Sequence, residues 1–522
     1  MAIVAAPSLS AIMANPSLSG VITKVDIYKA STLPSASVAN QTAFVIDSNQ
    51  HMAAGAGDVV AGGGSNLVAV SSDGANWIIG FPWPSWVVPG ATVDFDFVNS
   101  RYYGTALLSL LSISRASSGY AKKSDGSWTQ FSDETLRQTD QGLLIEETRT
   151  NLIAASEGYG IGGPWYAGSA TIAPGTATGP DNVANSAGSL IEDNTSNSHI
   201  GLQAITKAAS SVTYAFACSF AAAGRTRIFL GLMDGSLANG VQIGVDIAGA
   251  QWYYVPTAAG SGFSVVSYAI KPEIDGYIRV EIVFSTNSDT TIEPVMYLDN
   301  GVGLANASIN YQGNGTSGVH FWGCDLQVGG VNTSPIRTDV NRTSPTRHSD
   351  DISVNDPYAT SLVDQSTSVS LFLELAEPPV VSSAEVYPFF VTKDYSSFLA
   401  VILLNNVIGM LPVMKASWNS GGNNTDLYNP AFPYSPAYQE GRIWRMLANY
   451  QSDGSMQVAF SGDSNVEKST ISAMPLSGAG KYVSVGSNFP GGNAWINGYL
   501  RRLGWRVGVP FSDGQLLHFA NG

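Results

Sequence analysis

Apolar and polar residues alternate in short runs along most of this chain. The beat is visible at residues 42–47, 58–61, 66–71, 76–80 and 92–97, then at 213–220, 227–232, 241–247, 277–284 and 319–328. It resumes at 368–375, 389–392, 398–404, 444–450, 456–460, 482–486 and 500–507. Successive side chains of a strand point to opposite faces, so a two-residue period predicts strands with one buried face. Turn formers separate the runs, among them Gly62-Gly63-Gly64 and Asp73-Gly74. No long stretch carries apolar residues at helical spacing. The expected fold class is all-β. An N-terminal arm and small β-meander occupy 1–90, and two antiparallel β-sandwich (jelly-roll) domains follow at 91–355 and 360–522.

Composition sharpens that picture. A chain of 522 residues is too long for one core and suggests about three domains. Hydrophobic residues make up 44%, enough to give each a core, while charged residues are only 12% and Gly reaches 55. That balance suits many short strands and tight turns. The net charge of -15 disfavours nucleic acid as a partner, which requires a basic surface, and by charge alone it disfavours anionic membranes and acidic polysaccharides as well. Pro7-Ser8-Leu9-Ser10 recurs as Pro16-Ser17-Leu18-Ser19, which suggests an extended arm, and the first residues lack the basic start of a secretory signal. Residues 81–86, rich in Pro and Trp, read as a linker. The apolar tract 398–414 is broken by Asn405-Asn406 and Gly409 and falls short of a membrane span; it predicts two buried strands about an Asn-Asn turn. Cys218 and Cys324 lie in apolar strand-like runs and are expected as buried thiols, with a disulfide open only if those strands are neighbours.

Candidate chemistry is sparse. Glu146-Glu147 and Asp350-Asp351 are carboxylate pairs, but strand neighbours face opposite ways, so neither pair flanks a sugar by itself. A structural bond from one member to Arg149 or Arg347 is the expected role. His51, His199, His320, His348 and His518 are scattered and show no zinc spacing. Asp426, Asp453 and Asp463 are loop carboxylates of the kind that ligate calcium. Gly478-Ala479-Gly480-Lys481 lacks the rest of a phosphate loop and predicts a hairpin turn. The best binding signal is an aromatic, amide-rich stretch expected to form a loop. There Trp418 and Tyr428 offer ring faces, and Asn423, Asn424 and Asp426 offer hydroxyl partners for a glycan, with Tyr434 and Tyr438 following. Trp252-Tyr253-Tyr254 suggests strand packing or a subunit contact. No catalytic residue, cofactor or metal is expected.

Four motifs occur in order: Ile113-Ser114-Arg115-Ala116-Ser117; Gly142-Leu143-Leu144-Ile145-Glu146 with Arg149 and Asn151-Leu152; Phe321-Trp322-Gly323-Cys324-Asp325-Leu326-Gln327; and Thr346-Arg347 with Asp350. Together they resemble a module of tailed-bacteriophage fibre, spike and other virion surface proteins, over residues 92–355. Cys324, Gln327-Val328-Gly329 and Arg337-Thr338-Asp339-Val340 depart from that pattern. The run 495–505 followed by Ser512-Asp513 resembles the last strand and capped terminal helix of a concanavalin-A/laminin-G-like sandwich.

The resemblance implies a structural virion protein, made in the bacterial cytoplasm and carried on the particle surface. It implies attachment to other virion proteins through the N-terminal region, a homotrimer, and host attachment through a surface glycan, with no nucleic acid and no membrane insertion. Two alternatives stay open: a capsid or collar decoration protein without a ligand, and a polysaccharide depolymerase. The low charge and the lack of an acid pair favour a non-enzyme.

Overall fold

The structure is a computed structural model. It describes residues 27–33, 35–36, 42–48, 59–63, 66–72, 76–79, 87–88, 91–158, 163–301, 309–338, 345–355, 368–376, 385–394, 397–404, 413–420, 423–428, 443–451, 453–461, 464–470, 482–487, 495–508 and 510–521. The Pro-Ser-Leu-Ser repeat, the 81–86 linker, the Asn405-Asn406 turn, Tyr434, Tyr438, Asp463 and Gly478–Lys481 lie outside the described residues. Among the described residues the regular structure is nearly all strand, as the alternation predicts. No described helix is long and apolar enough to cross a membrane.

The N-terminal strands Ile27–Tyr28, Thr42–Ser48, Asn66–Ser72 and Trp77–Ile79 form a four-stranded sheet around Ala43, Val45, Val70 and Trp77. Its first pair runs parallel, so the sheet is not a pure meander.

The inner sandwich packs a six-stranded sheet against a second sheet. The strand Thr213–Ala223 shows why: Tyr214, Phe216, Cys218 and Phe220 alternate into the core. Beside it Ile278, Val280, Ile282 and Phe284 do the same, and across the gap stand Ile228, Leu230, Leu232, Val241, Ile243 and Val245. Burial of each such side chain contributes about 1.5–3 kcal/mol. Gln251–Ala259 and Ser264–Pro272 end the two sheets and pack near each other at one flank. Trp252, Tyr253 and Tyr254 lie in the first of these edge strands.

The outer sandwich is assembled from two separated parts of the chain. In one sheet Gly498–Gly508 pairs with Ser368–Ala376, but also with Gly142–Ile145 and Val93–Asp96. In the other sheet Asp351–Val354 lies between Tyr482–Val485 and Leu111–Ser114. One core joins Val93, Phe95, Leu111, Leu143 and Ile145 to Ile352, Leu373, Trp444, Leu503 and Trp505. Arg502 seals the seam with a pair of bonds to buried Asp94, 2.8 and 2.5 Å long. The segment read from sequence as the lead-in to the module at 91–355 thus supplies strands to the sandwich assigned to 360–522. The inner sandwich, roughly 149–347, is inserted between them, and Arg149–Thr150 pairs with Thr346–Arg347 where the chain leaves and returns. Alternation reports that Leu143, Leu144 and Ile145 are buried, and hydrogen bonding is indifferent to how far along the chain the partner lies.

Local details follow sequence more directly. Gly142 holds φ +126°, and a Cβ there would stand 2.6 Å from the Leu500 carbonyl oxygen, so this motif position requires glycine. The terminal helix Asp513–Asn521 begins at Ser512. Its hydroxyl accepts from Gln515 N–H (3.4 Å), and Gln515 Oε1 accepts from Ser512 N–H (2.9 Å). Leu516 and Ala520 pack the helix onto Phe372 and Leu447. Ser397–Leu404 and Val413–Ser420 pair antiparallel, so the first strand read in the apolar tract is present, while the second begins only at Val413 and runs on beyond the tract.

Cys218 and Cys324 are free, fully buried thiols on neighbouring strands, at a register break between Ala217↔Asp325 and Ser219↔Trp322. Burial, then the hydrogen bond and charge of Cys218, push the Cys324 thiol well up. Neither thiol is therefore expected to react with a thiol-specific dye in native protein, and both are expected to react in denaturant. Rapid labelling of the native chain would contradict the packing. A fragment of residues 360–522 lacks strands from both sheets of its own sandwich. It is expected to aggregate or to melt without a cooperative transition, whereas 91–522 melts cooperatively; circular dichroism on heating distinguishes them.

Candidate binding cleft where the two sandwiches join

The motif residues meet at the stem of the insertion. Arg115 and Arg137 both bind Asp350: Arg115 Nη1 lies 2.6 Å from Oδ1, and Arg137 Nη2 contacts Oδ2. Arg137 Nη1 also reaches Glu146 Oε2 at 2.7 Å, and Arg347 Nη1 reaches the same oxygen at 3.1 Å. Glu146 further accepts from Ser334 N–H and Oγ–H, each at 2.6 Å, and its own N–H donates to Asp350 Oδ2 at 2.9 Å. All five charged side chains are buried.

Burial works against the Glu146 charge, but Arg347 and Arg137, with the Ser334 bonds, outweigh it and hold the carboxyl at about 2. Burial likewise pulls the Arg347 guanidinium below its ordinary value, against the pull of Glu146. That ordinary value lies so far above neutrality that the pair remains ionic.

Around this node the other motif residues are equally occupied. Glu147 Oε1 accepts from Arg149 at 2.5 Å and from Asn497 Nδ2 at 3.0 Å. Fully buried Asn151 donates to the Cys324 and Ile336 carbonyls at 3.0 and 2.7 Å, and accepts from Leu326 N–H at 3.0 Å. Glu146 and Glu147 are thus structural partners of Arg347 and Arg149, as expected, whereas Asp350 is held by Arg115 and Arg137 of other segments and not by Arg347 of its own motif.

Beside the node lies a cleft of about 350 Å³. Three remote parts of the chain wall it: Lys122, Trp128 and Gln141 of the lead-in, Tyr268, Lys271 and Glu281 of the inner sandwich, and Asn497 and Tyr499 of the last strand. Tyr499 Oη donates to the Lys122 carbonyl and accepts from Lys122 N–H, both at 2.9 Å. Trp128 Nε1 donates to Glu273 at 2.6 Å, and the Lys122 ammonium sits 5.9 Å from the Trp128 ring centre. Lys271 pairs with Glu281 at 3.0 Å. Burial lowers the Lys122 ammonium and raises the Glu273 carboxyl. Ring faces beside amides, hydroxyls and a few charges suit a small polar ligand with apolar surfaces, such as a sugar.

The sequence-derived glycan residues are not in the lining of this cleft. The stretch expected as a loop is instead a hairpin of Val413–Ser420 and Asn423–Tyr428, the latter at the sheet edge. Pairing sets Trp418 opposite Thr425 and Ser420 opposite Asn423, in line with buried Leu427. Asn424, Asp426 and Tyr428 occupy the alternate register positions. The hairpin therefore divides the five residues between two faces. Asp453 bonds Ser455 within its own turn. Among the described residues no group of three His, Cys, Asp or Glu is placed to hold a metal. Sequence reasoning passed over Lys122, Tyr268 and Tyr499 because each is an ordinary strand residue until the chain folds.

Removing one charge from the node should strand its partners. Glu146→Gln and Asp350→Asn are each expected to cost about 3–5 kcal/mol in denaturant unfolding, while Glu147→Gln, whose side chain is partly exposed, costs about 1 kcal/mol or less. The folded Glu146 carboxyl lies below its ordinary 4.5 at about 2, so its stabilisation is present above 4.5 and fades as pH falls towards 2. Glu146→Gln should flatten that part of the stability-pH profile; an unchanged profile would contradict the ion pairs.

No family model matches the sequence, and no curated protein matches it. Solved structures similar to it include a Ruminococcus gnavus sialidase CBM40 bound to α2,6-sialyllactose, at 13% identity and TM-score 0.25, covering 31% of this chain and 87% of that one. Domains LG4–5 of the mouse laminin α1 chain align at 12% identity and TM-score 0.20, covering 64% and 90%. The LG1–3 region of the laminin α2 chain aligns at 11% identity and TM-score 0.20, covering 60% and 66%. All three TM-scores lie below 0.5.

Proposed function

We propose that this chain is a surface component of a tailed phage or phage-like particle, of the fibre or spike kind, that binds a host glycan without cleaving it. The particle assignment rests on the ordered motif resemblance. Attachment through the N-terminal region and assembly as a homotrimer belong to the same reading. The glycan assignment is carried by one observation: the cleft at the sandwich junction sets Trp128 and Tyr499 beside Gln141, Asn332 and Asn497. The non-enzymatic assignment is supported by the engagement of Glu146 and Asp350 in the buried node, which leaves neither free to act as an acid or a nucleophile.

A glycan array probed with the full chain tests this reading. Asn332 lines the cleft and is partly exposed, so Asn332→Ala removes a polar wall group without opening the core. It should weaken glycan binding by about fivefold, in line with the loss of one hydrogen bond worth about 1 kcal/mol. Trp418→Ala tests the hairpin in parallel. Full binding by Asn332→Ala together with loss in Trp418→Ala would move the site to the hairpin. Steady release of reducing ends from a bound polysaccharide would replace binding with hydrolysis.

A further inference from the structure

One flank of the inner sandwich is uncharged in a strongly acidic protein. The seven-stranded sheet ends at Gln251–Ala259 and the six-stranded sheet at Ser264–Pro272, and these two strands run side by side along a seam. Trp252 and Tyr268 close one end of the seam, ring edge to ring face, with centroids 5.7 Å apart. Val265 and Ile270 pack against the core, but Val255, Val266 and Tyr268 stay 53, 59 and 47% exposed. Of the nine exposed large apolar side chains among the described residues, three therefore lie on this flank. No Asp, Glu, Lys, Arg or His occurs from Ile247 to Ile270. Exposed edge strands usually carry charges, Lys above all, that keep other chains away. Here the backbone edge is blunted in another way. Pro256 has no N–H, and both strands break register against their neighbours, at Gly244 and between Val265 and Ser267. The flank is thus ill suited to an added strand and open to side-chain packing.

From the missing charges and the exposed apolar row we infer that this flank is where copies of the chain pack against one another. The inference rests on the homotrimer part of the proposed function and adds the surface that forms it. Charge selects the occupant. A chain of net charge -15 repels its own copies, so identical subunits approach best where neither carries charge. A basic partner would be drawn to the acidic surface elsewhere. A saccharide would need hydrogen-bonding groups that Val255 and Val266 lack. Each strand has nine residues, and at about 3.3 Å per residue the flank is about 30 Å long, room for an apolar row with a polar rim.

Sedimentation velocity of the full chain tests this. The unaltered chain should sediment as an oligomer. Val255→Asp together with Val266→Asp should raise its dissociation constant by about tenfold or more. Val183→Asp, at a valine 54% exposed outside the flank, should leave the assembly unchanged. Added salt screens like charges and should strengthen the association. A chain that is monomeric at every concentration would overturn the inference and the trimer with it, and leave the glycan reading standing. An oligomer indifferent to both flank substitutions would overturn the inference alone and keep the trimer. Equal weakening by Val183→Asp would make added charge the cause and overturn the flank as the contact. Circular dichroism on heating checks that the variants fold. If the double variant does not, the salt response of the unaltered chain still decides, because weakening by salt would reveal an ion-paired interface and overturn the uncharged one.

Discussion

Three buried arginines clasp two buried carboxylates where the inner sandwich leaves the outer one, and the rest of the architecture hangs on that clasp. Arg115, Arg137 and Arg347 come from three segments, and Glu146 and Asp350 from two sides of the insertion. Dehydrating five charges is expensive, so the cluster is not an efficient source of net stability. Its value lies in what it excludes. A slip of one residue at Gly142–Ile145 or at Thr346–Arg347 would leave an uncompensated charge in the interior, at a cost of several kcal/mol. The ion cluster thus fixes register at the one place where a long insertion could loosen it.

That constraint explains why the motif residues are polar and yet lie within the protein. The stem itself is only a two-residue ribbon, Arg149–Thr150 against Thr346–Arg347, closed by a 2.7 Å contact between the Thr150 and Thr346 hydroxyls. A ribbon so short would hinge freely if it stood alone. Asn151 ties it to the inner sandwich through Cys324, Leu326 and Ile336, while Glu147 and Asn497 tie it to the outer one. The two sandwiches are thus tied together at the stem from both sides.

The cleft inherits its chemistry from the clasp. The node carries one more positive than negative charge, while Lys122 at the rim is paired with buried Glu273. Trp128 stands between these cations, with Lys122 at 5.9 Å and Arg279 at 5.4 Å from its ring centre. The cleft and the stem are therefore built from neighbouring side chains.

Much of the secondary structure was legible in the sequence, because a two-residue period records which side of each strand is dry. The runs at 213–220, 398–404 and 500–507 lie within observed strands, the Ser512 cap starts the observed helix, and Glu146 and Glu147 bind Arg347 and Arg149 as read. Partnership was not legible. Nothing local to Leu143 names Leu500 as its neighbour, and nothing in Ile352 names Ile113, since the backbone groups that pair them are the same in every residue. The boundary expected between 355 and 360 therefore runs through one sandwich, and the aromatic stretch at Trp418 became a hairpin in place of a loop. The cleft is a purely tertiary product: Lys122, Tyr268 and Tyr499 share no local pattern, and only the stem's ion cluster, by setting the two sandwiches side by side, makes them a site.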